Sequence, residues 1–305
     1  MTAAHFQAEL KRVTGRAFDA DGAADYKVLI PFAATCIAFL LLFGGTFASL
    51  ARDWWVNPEA GHGLLLAPVA VWWAWRAGIR EGAAPEHKLG IAILIFAVLV
   101  RCAAGLAAEL FTMRSSIVLA LVGLTVFHFG VRQVLYWWLP FVVGALSVPL
   151  PELVTQALAL PLQFQASEMG AAMLKMRDVP VLLTGNVIRL PGHELFVTEA
   201  CSGLRSLTAL ISLSVLLGAL MLRTPIARVL LILIAIPIAV VINGVRVFMT
   251  GFLVYFVDPK LGQGFMHITE GWLLFLVSLS CLAIVVKLMT LVEGWLDRKA
   301  EVESD

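Results

Sequence analysis

The stretch Ile226–Phe256, IARVLLILIAIPIAVVINGVRVFMTGFLVYF, decides the fold class. A bilayer core of about 30 Å is crossed by about 20 apolar residues in a helix. This run exceeds that length, and its strongest polar interruptions are Arg228, Asn243 and Arg246. Lipid offers no partner to open backbone groups, so such a run spans as a helix. Seven further stretches read the same way: Val28–Ala51, Leu64–Ile79, Leu89–Glu109, Ser115–Gly130, Gln133–Leu150, Ser202–Leu222 and Gly271–Val292. The second and fourth spans in chain order, Leu64–Ile79 and Ser115–Gly130, are short.

Composition agrees. The chain is 60% hydrophobic and 14% charged, against roughly 45–50% and about 25% in soluble domains. Mean hydropathy is +0.91. The expected fold is an all-α polytopic membrane protein of about eight transmembrane helices. A net charge of +1 argues against a nucleic-acid partner, since phosphate binding needs a basic face. Cys36, Cys102, Cys201 and Cys281 form no close pair, so neither a disulfide framework nor a thiolate zinc site is expected. Three of them sit in apolar runs, where a thiol is a small hydrophobe. Only Cys201 has polar neighbours.

Residues 1–27 read as an N-terminal segment, 28–292 as one transmembrane domain and 293–305 as a tail. The first apolar run is longer than a signal-peptide core and reads as an uncleaved span. Basic residues set the orientation. Lys11, Arg12, Arg16 and Lys27 precede the first span, and Arg76, Arg80 and Lys88 follow the second. Arg132, Arg223, Arg228, Arg298 and Lys299 fall on that same side, which should be the cytoplasm. Both termini are then cytoplasmic. Trp54, Trp55, Trp72, Trp73, Trp75, Trp137 and Trp138 lie near span ends, as interfacial anchors do.

The long loop, residues 151–200, falls outside. Leu153–Met176 has helical composition with Gln156, Gln163, Gln165 and Glu168 scattered among apolar residues, so an amphipathic helix at the outer surface is expected. Val181–Val197 reads as short strands broken at Gly185-Asn186 and Pro191-Gly192, a β-hairpin element.

That element leads into Val197-Thr198-Glu199-Ala200-Cys201-Ser202-Gly203-Leu204-Arg205. Cys201 stands at the outer start of a span, where the helix dipole favours the thiolate. Arg205, four residues on, shares its face and adds positive charge. Glu199 orients a partner or is a solvated loop residue. Asn243 and Arg246, three residues apart, share one face in the outer half of their span. A centrally placed Arg costs about 2.5–3.5 kcal/mol on insertion scales, so Arg246 is a functional candidate, suited to an oxyanion or a peptide carbonyl. His267, just before the last span, reaches the same face of the membrane. A neutral imidazole there can take a thiol proton and return it to a leaving amine. Thiol, cation and base together form an acyl-transfer set.

Other polar residues leave alternatives open. Arg101 and Glu109 pair within the bundle or line the substrate path. His62 meets substrate or serves as another base. His128 lies toward the cytoplasmic end of its span, and His193, in the β-element, rivals His267. His62, His193, Glu194 and Glu199 could in principle gather around a metal, but their spacing does not favour it. No cofactor is expected.

These residues resemble the exosortase/archaeosortase family. The likeness rests on Ala200-Cys201-Ser202-Gly203-Leu204-Arg205-Ser206, on Asn243-Gly244-Val245-Arg246, and on His267 with Gly271-Trp272. His62-Gly63 and the segment 185–199 share it, so it covers roughly residues 50–290. The resemblance implies an inner-membrane cysteine transpeptidase that sorts exported proteins. Its substrates would end in a motif such as Pro-Glu-Pro, an apolar helix and a basic cluster. By the same resemblance Cys201 is the nucleophile, Arg246 stabilises the oxyanion and His267 is the general acid and base. Asn243, Arg205, Glu199, His62 and Arg101 would support them, and the acceptor, a lipid or glycan, is not named by the sequence. A transporter with Arg101, Arg205 and Arg246 along an anion path, and a lipid acyltransferase, are the competing readings.

Overall fold

The computed structural model describes residues 26–57, 59–197, 203–258 and 265–304, side chains aside at 26–29, 31–32, 265–271 and 300–304. Among these the helices are α1 (Tyr26–Val56), α2 (Gly63–Ala77), α3 (His87–Leu106), α4 (Leu110–Phe129), α5 (Val131–Tyr136), α6 (Trp138–Leu146), α7 (Glu152–Lys175), α8 (Leu204–Met221), α9 (Pro225–Phe256) and α10 (Phe265–Ser304). The strands β1 (Leu182–Thr184), β2 (Val187–Leu190) and β3 (His193–Phe196) form one antiparallel sheet in that order. The chain divides into two compact units, residues 1–150 and 151–305.

The protein is a multi-pass, largely helical membrane protein. Among the described residues six helical segments are long and apolar enough to cross a bilayer: Ala33–Val56, His87–Leu106, Leu110–Phe129, Leu204–Met221, Pro225–Phe256 and Trp272–Lys299. Their outward faces carry large apolar side chains such as Leu41, 81% exposed, and Ile226, 79% exposed, as lipid-facing surfaces do. Hydroxyls in the helices bond back to carbonyls one turn earlier, as at Thr125, Ser212 and Ser278. Lipid supplies no such partner.

Two expected spans take other forms. The second is α2, only 15 residues, or about 22 Å at 1.5 Å per residue. The fifth is split into α5 and α6 at Trp137. Pro140 explains the break: its ring nitrogen cannot donate to the carbonyl of Tyr136. Trp137 instead directs its indole N–H to the Gly78 carbonyl at 2.9 Å.

In the first unit α3 and α4 form a close antiparallel pair, and the core gathers Phe43, Leu50, Trp54, Ala97, Ile117 and Ala120. Asp53 and Arg114 make an ion pair at 2.7 Å.

In the second unit α9 packs on α7, α8 and α10. The helix expected over Leu153–Met176 forms as α7. Its buried face is mostly small and polar, Ala159, Gln163, Ala166, Ser167, Gly170 and Ala171, with Leu174 buried near its C-terminal end, while Leu153, Leu158 and Leu160 face outward. Small residues allow close backbone approach, the usual basis of helix association where lipid is the solvent. A Cβ on Gly170 would lie 2.6 Å from Val247 Cγ1, and one on Gly244 2.8 Å from Met169 Cβ. The neighbours pair in rising order, 169 with 244 and 174 with 251, so α7 runs parallel to the C-terminal half of α9. The sheet closes over this pair. Ile188, Leu190 and Val197 join Ala166, Ala171, Leu174, Val247 and Val254 in one core. The expected hairpin element is two hairpins sharing β2, turning at Gly185-Asn186 and Pro191-Gly192.

Candidate active site

Residues 198–202 lie outside the described residues, and with them Cys201 and Glu199. Both ends of this five-residue segment are held. At its start Val197 is 2% exposed. Its N–H donates to the Asn186 carbonyl at 2.9 Å, and its own carbonyl accepts from Asn186 Nδ2 at 3.1 Å. The same Nδ2 donates to Gln163 Oε1 on α7 at 3.2 Å. Asn186 therefore ties strand, turn and helix together at Val197, four residues before Cys201 in the sequence. Sequence reading saw Asn186 only as a turn residue and Gln163 only as a scattered amide. A glutamine on the small-residue stripe of α7 was the available signal.

At the other end Gly203 opens α8 with φ +79°. A Cβ there would stand 2.5 Å from Asn243 Cγ. The chain thus leaves the cysteine run pressed against Asn243, which is 5% exposed. Ser206 donates its hydroxyl to the Gly203 carbonyl at 2.8 Å and steadies this first turn.

Arg246 lies three residues beyond Asn243, about 4.5 Å further along α9. Its Nε is enclosed by protein, and its carbonyl accepts the Thr250 hydroxyl at 3.0 Å. Arg205 is exposed near the start of α8. His267 falls in the first turn of α10, its side chain outside the described residues.

Relative heights follow from the opposite end. There the Thr224 backbone and hydroxyl donate to Glu293, and Arg223 pairs with Asp297 at 2.5 Å. From that junction helical rise puts Gly203 at about 30 Å, Asn243 at about 29 Å, Arg246 at about 33 Å and the His267 backbone at about 39 Å. All four stand at the same end of the second unit.

His62 and Arg101 belong to the first unit. The His62 ring nitrogens face the Glu59 carbonyl at 3.1 Å and the Leu146 carbonyl at 3.2 Å. Burial holds its pKa below the ordinary imidazole value and outweighs those two carbonyls. Arg101 directs Nε to Thr46 Oγ1 at 3.3 Å and lies over the Phe43 ring. Arg101 and Glu109 do not pair: Glu109 caps α4, accepting from the Phe111 and Thr112 amides at 2.9 and 2.7 Å. Bonds from the Thr112 side chain and backbone hold its carboxyl below the usual range. His128 meets Thr35 Oγ1 at 3.1 Å. His193 is exposed on β3, beside the Arg189–Glu194 ion pair of 2.9 Å. Among the described residues no group of three or more His, Cys, Asp or Glu side chains could hold a metal ion.

The fold defines a multi-pass, largely helical membrane protein. The family described as transmembrane exosortase matches residues 54–284, most of the chain. The chain belongs to the exosortase family. No curated protein and no solved structure gives a match. Membership makes it a membrane transpeptidase in general class, acting on exported proteins.

Proposed function

We propose that Cys201 is the nucleophile of a sorting transpeptidase, working at the extracytoplasmic face of the inner membrane. The substrate is an exported protein whose C-terminal signal consists of a short motif, an apolar helix and a basic cluster. The start of α8 and the charge of Arg205 favour the thiolate. Its Sγ attacks the substrate carbonyl, and the guanidinium of Arg246 bears the charge that develops on the oxygen. The C–N bond breaks as His267 gives a proton to the departing amine, leaving a thioester. An acceptor nucleophile then loses its proton to His267, attacks the thioester and releases Cys201. Glu199 orients this set, and Asn243 fixes the chain beside it.

One observation carries the reading. Gly203, two residues after Cys201, lies against Asn243, one turn before Arg246 on the neighbouring helix. The positive-inside distribution of Lys and Arg supports the extracytoplasmic side.

The test uses membranes containing the full chain and an exported reporter ending in Pro-Glu-Pro, an apolar helix and a basic tail. Cys201→Ala and Cys201→Ser should insert normally and leave the reporter uncut. Arg246→Lys should lose about a hundredfold, the scale of one lost oxyanion donor. Reporter processing by both cysteine variants at the wild-type rate overturns the nucleophile.

A further inference from the structure

β3 is an edge strand that precedes the cysteine run in the sequence, and among the described residues nothing bonds to its outer side. The register shows this. Just beyond the ends of β2 and β3 the Val197 N–H donates to the Asn186 carbonyl, and antiparallel ladders alternate bonded and non-bonded pairs. Ile188 with Leu195 and Leu190 with His193 are therefore the bonded pairs, and Val187 with Phe196 and Arg189 with Glu194 the non-bonded ones. Hence Glu194 and Phe196 turn their N–H and C=O groups away from β2. Neither residue's backbone finds another partner among the described residues. Both are exposed, Phe196 by 58%. Leu195 packs its side chain on the core below, so the strand is held by its face while its edge stays free. The opposite edge, β1, offers only the backbone of Leu183; β1 lies over α7 as β3 lies over α9.

We infer that the open edge of β3 is the docking strand for the extended segment of the exported substrate. This rests on the reading of Cys201 as nucleophile. An extended peptide added to a sheet edge gains main-chain hydrogen bonds without demanding a particular side chain. Here two N–H and two C=O groups are available, at Glu194 and Phe196. Cys201 is five residues beyond Phe196, within about 17 Å of extended chain. A peptide paired with β3 thereby lies alongside the strand that ends five residues before the nucleophile in the sequence. The four-residue length of β3 limits unspecific pairing, since short edges are poor templates.

Amide hydrogen exchange tests this in the Cys201→Ala protein, which holds the same reporter uncut. The amides of Glu194 and Phe196 should gain protection when the reporter binds, while that of Leu183 stays unchanged. Phe196→Pro provides the second measurement, in the protein that retains Cys201. It deletes an outward N–H and no ladder bond, a substitution edge strands tolerate. It should slow processing of dilute reporter about tenfold, the scale of a lost hydrogen bond. Phe196→Ala, which keeps the N–H, should stay near wild type, and Cys201 in both variants should still react with a small maleimide. Unchanged exchange at Glu194 and Phe196, or normal processing by Phe196→Pro, overturns the docking strand. Cutting of the reporter by Cys201→Ala instead overturns the nucleophile reading and leaves the strand to be judged by Phe196→Pro.

Discussion

Gly203 does two jobs at one residue. Its left-handed φ turns the chain into α8, and its missing side chain lets the backbone close on Asn243. Gly192 has a similar φ, +81°, but open space around it. The pair separates the two effects. Gly203→Ala and Gly192→Ala should both suffer the strain of a left-handed alanine, about 1–2 kcal/mol. Only Gly203→Ala meets Asn243 as well, so its thermal midpoint should fall further. Equal losses would mean that the contact with Asn243 contributes nothing. The Cys, Arg and Asn motifs were visible in the sequence, but this contact was not, because residues forty apart meet only once α8 and α9 are packed.

His62 has a consequence in pH. Its folded pKa lies below its ordinary value of 6.5 because burial disfavours the imidazolium. The unfolded chain therefore binds its proton first on acidification. Stability of the first unit is full above about pH 6.5 and declines as pH falls toward the lowered pKa. Thermal unfolding across pH 5–7 should show this slope, and His62→Gln should flatten it. A slope unchanged in the variant would assign the sensitivity to another group.

At the scale of elements, α7 shows where sequence reading reached its limit. A helix was legible from composition, and both tight turns of the sheet were legible from Gly-Asn and Pro-Gly. The direction of α7 was not. In water the large apolar face of a helix turns inward. Here Ala166, Gly170 and Ala171 face α9, and Leu153, Leu158 and Leu160 face out. Close packing selected the small face, as it does where lipid competes for the large one. Gly170→Val should therefore be costly, since its Cβ alone would stand 2.6 Å from Val247. Overpacking of this kind costs about 1–3 kcal/mol. Leu158→Ala, on the outward face, should change detergent-solubilised stability by much less. The reverse order would place the interface on the other side of α7. The split of the fifth span was likewise legible in Pro140, yet hydropathy averages over single residues and passed through it.

For the whole molecule, the fold class was plain from apolar content alone, and the order of the Cys, Arg and His motifs pointed to the family that matches residues 54–284. The path of the chain between motifs was less plain. Hydropathy marks where a helix lies in sequence, while the junction of Thr224 and Arg223 with Glu293 and Asp297 sets the common baseline of α8, α9 and α10. From that baseline Gly203, Asn243, Arg246 and the His267 backbone stand at one end of the second unit, carried by separate helices. The chemistry needs that convergence: a sulfur without a nearby guanidinium and imidazole would have neither oxyanion stabilisation nor a proton carrier.

Intact-mass analysis of the full chain, quenched in acid during turnover of the Pro-Glu-Pro reporter, tests this account most directly. A reporter fragment joined through a hydroxylamine-labile thioester, mapped by peptide sequencing to Cys201, is the predicted result. Reporter cleavage with Cys201 unmodified at every time point, and no loss of rate in Cys201→Ala, would contradict it.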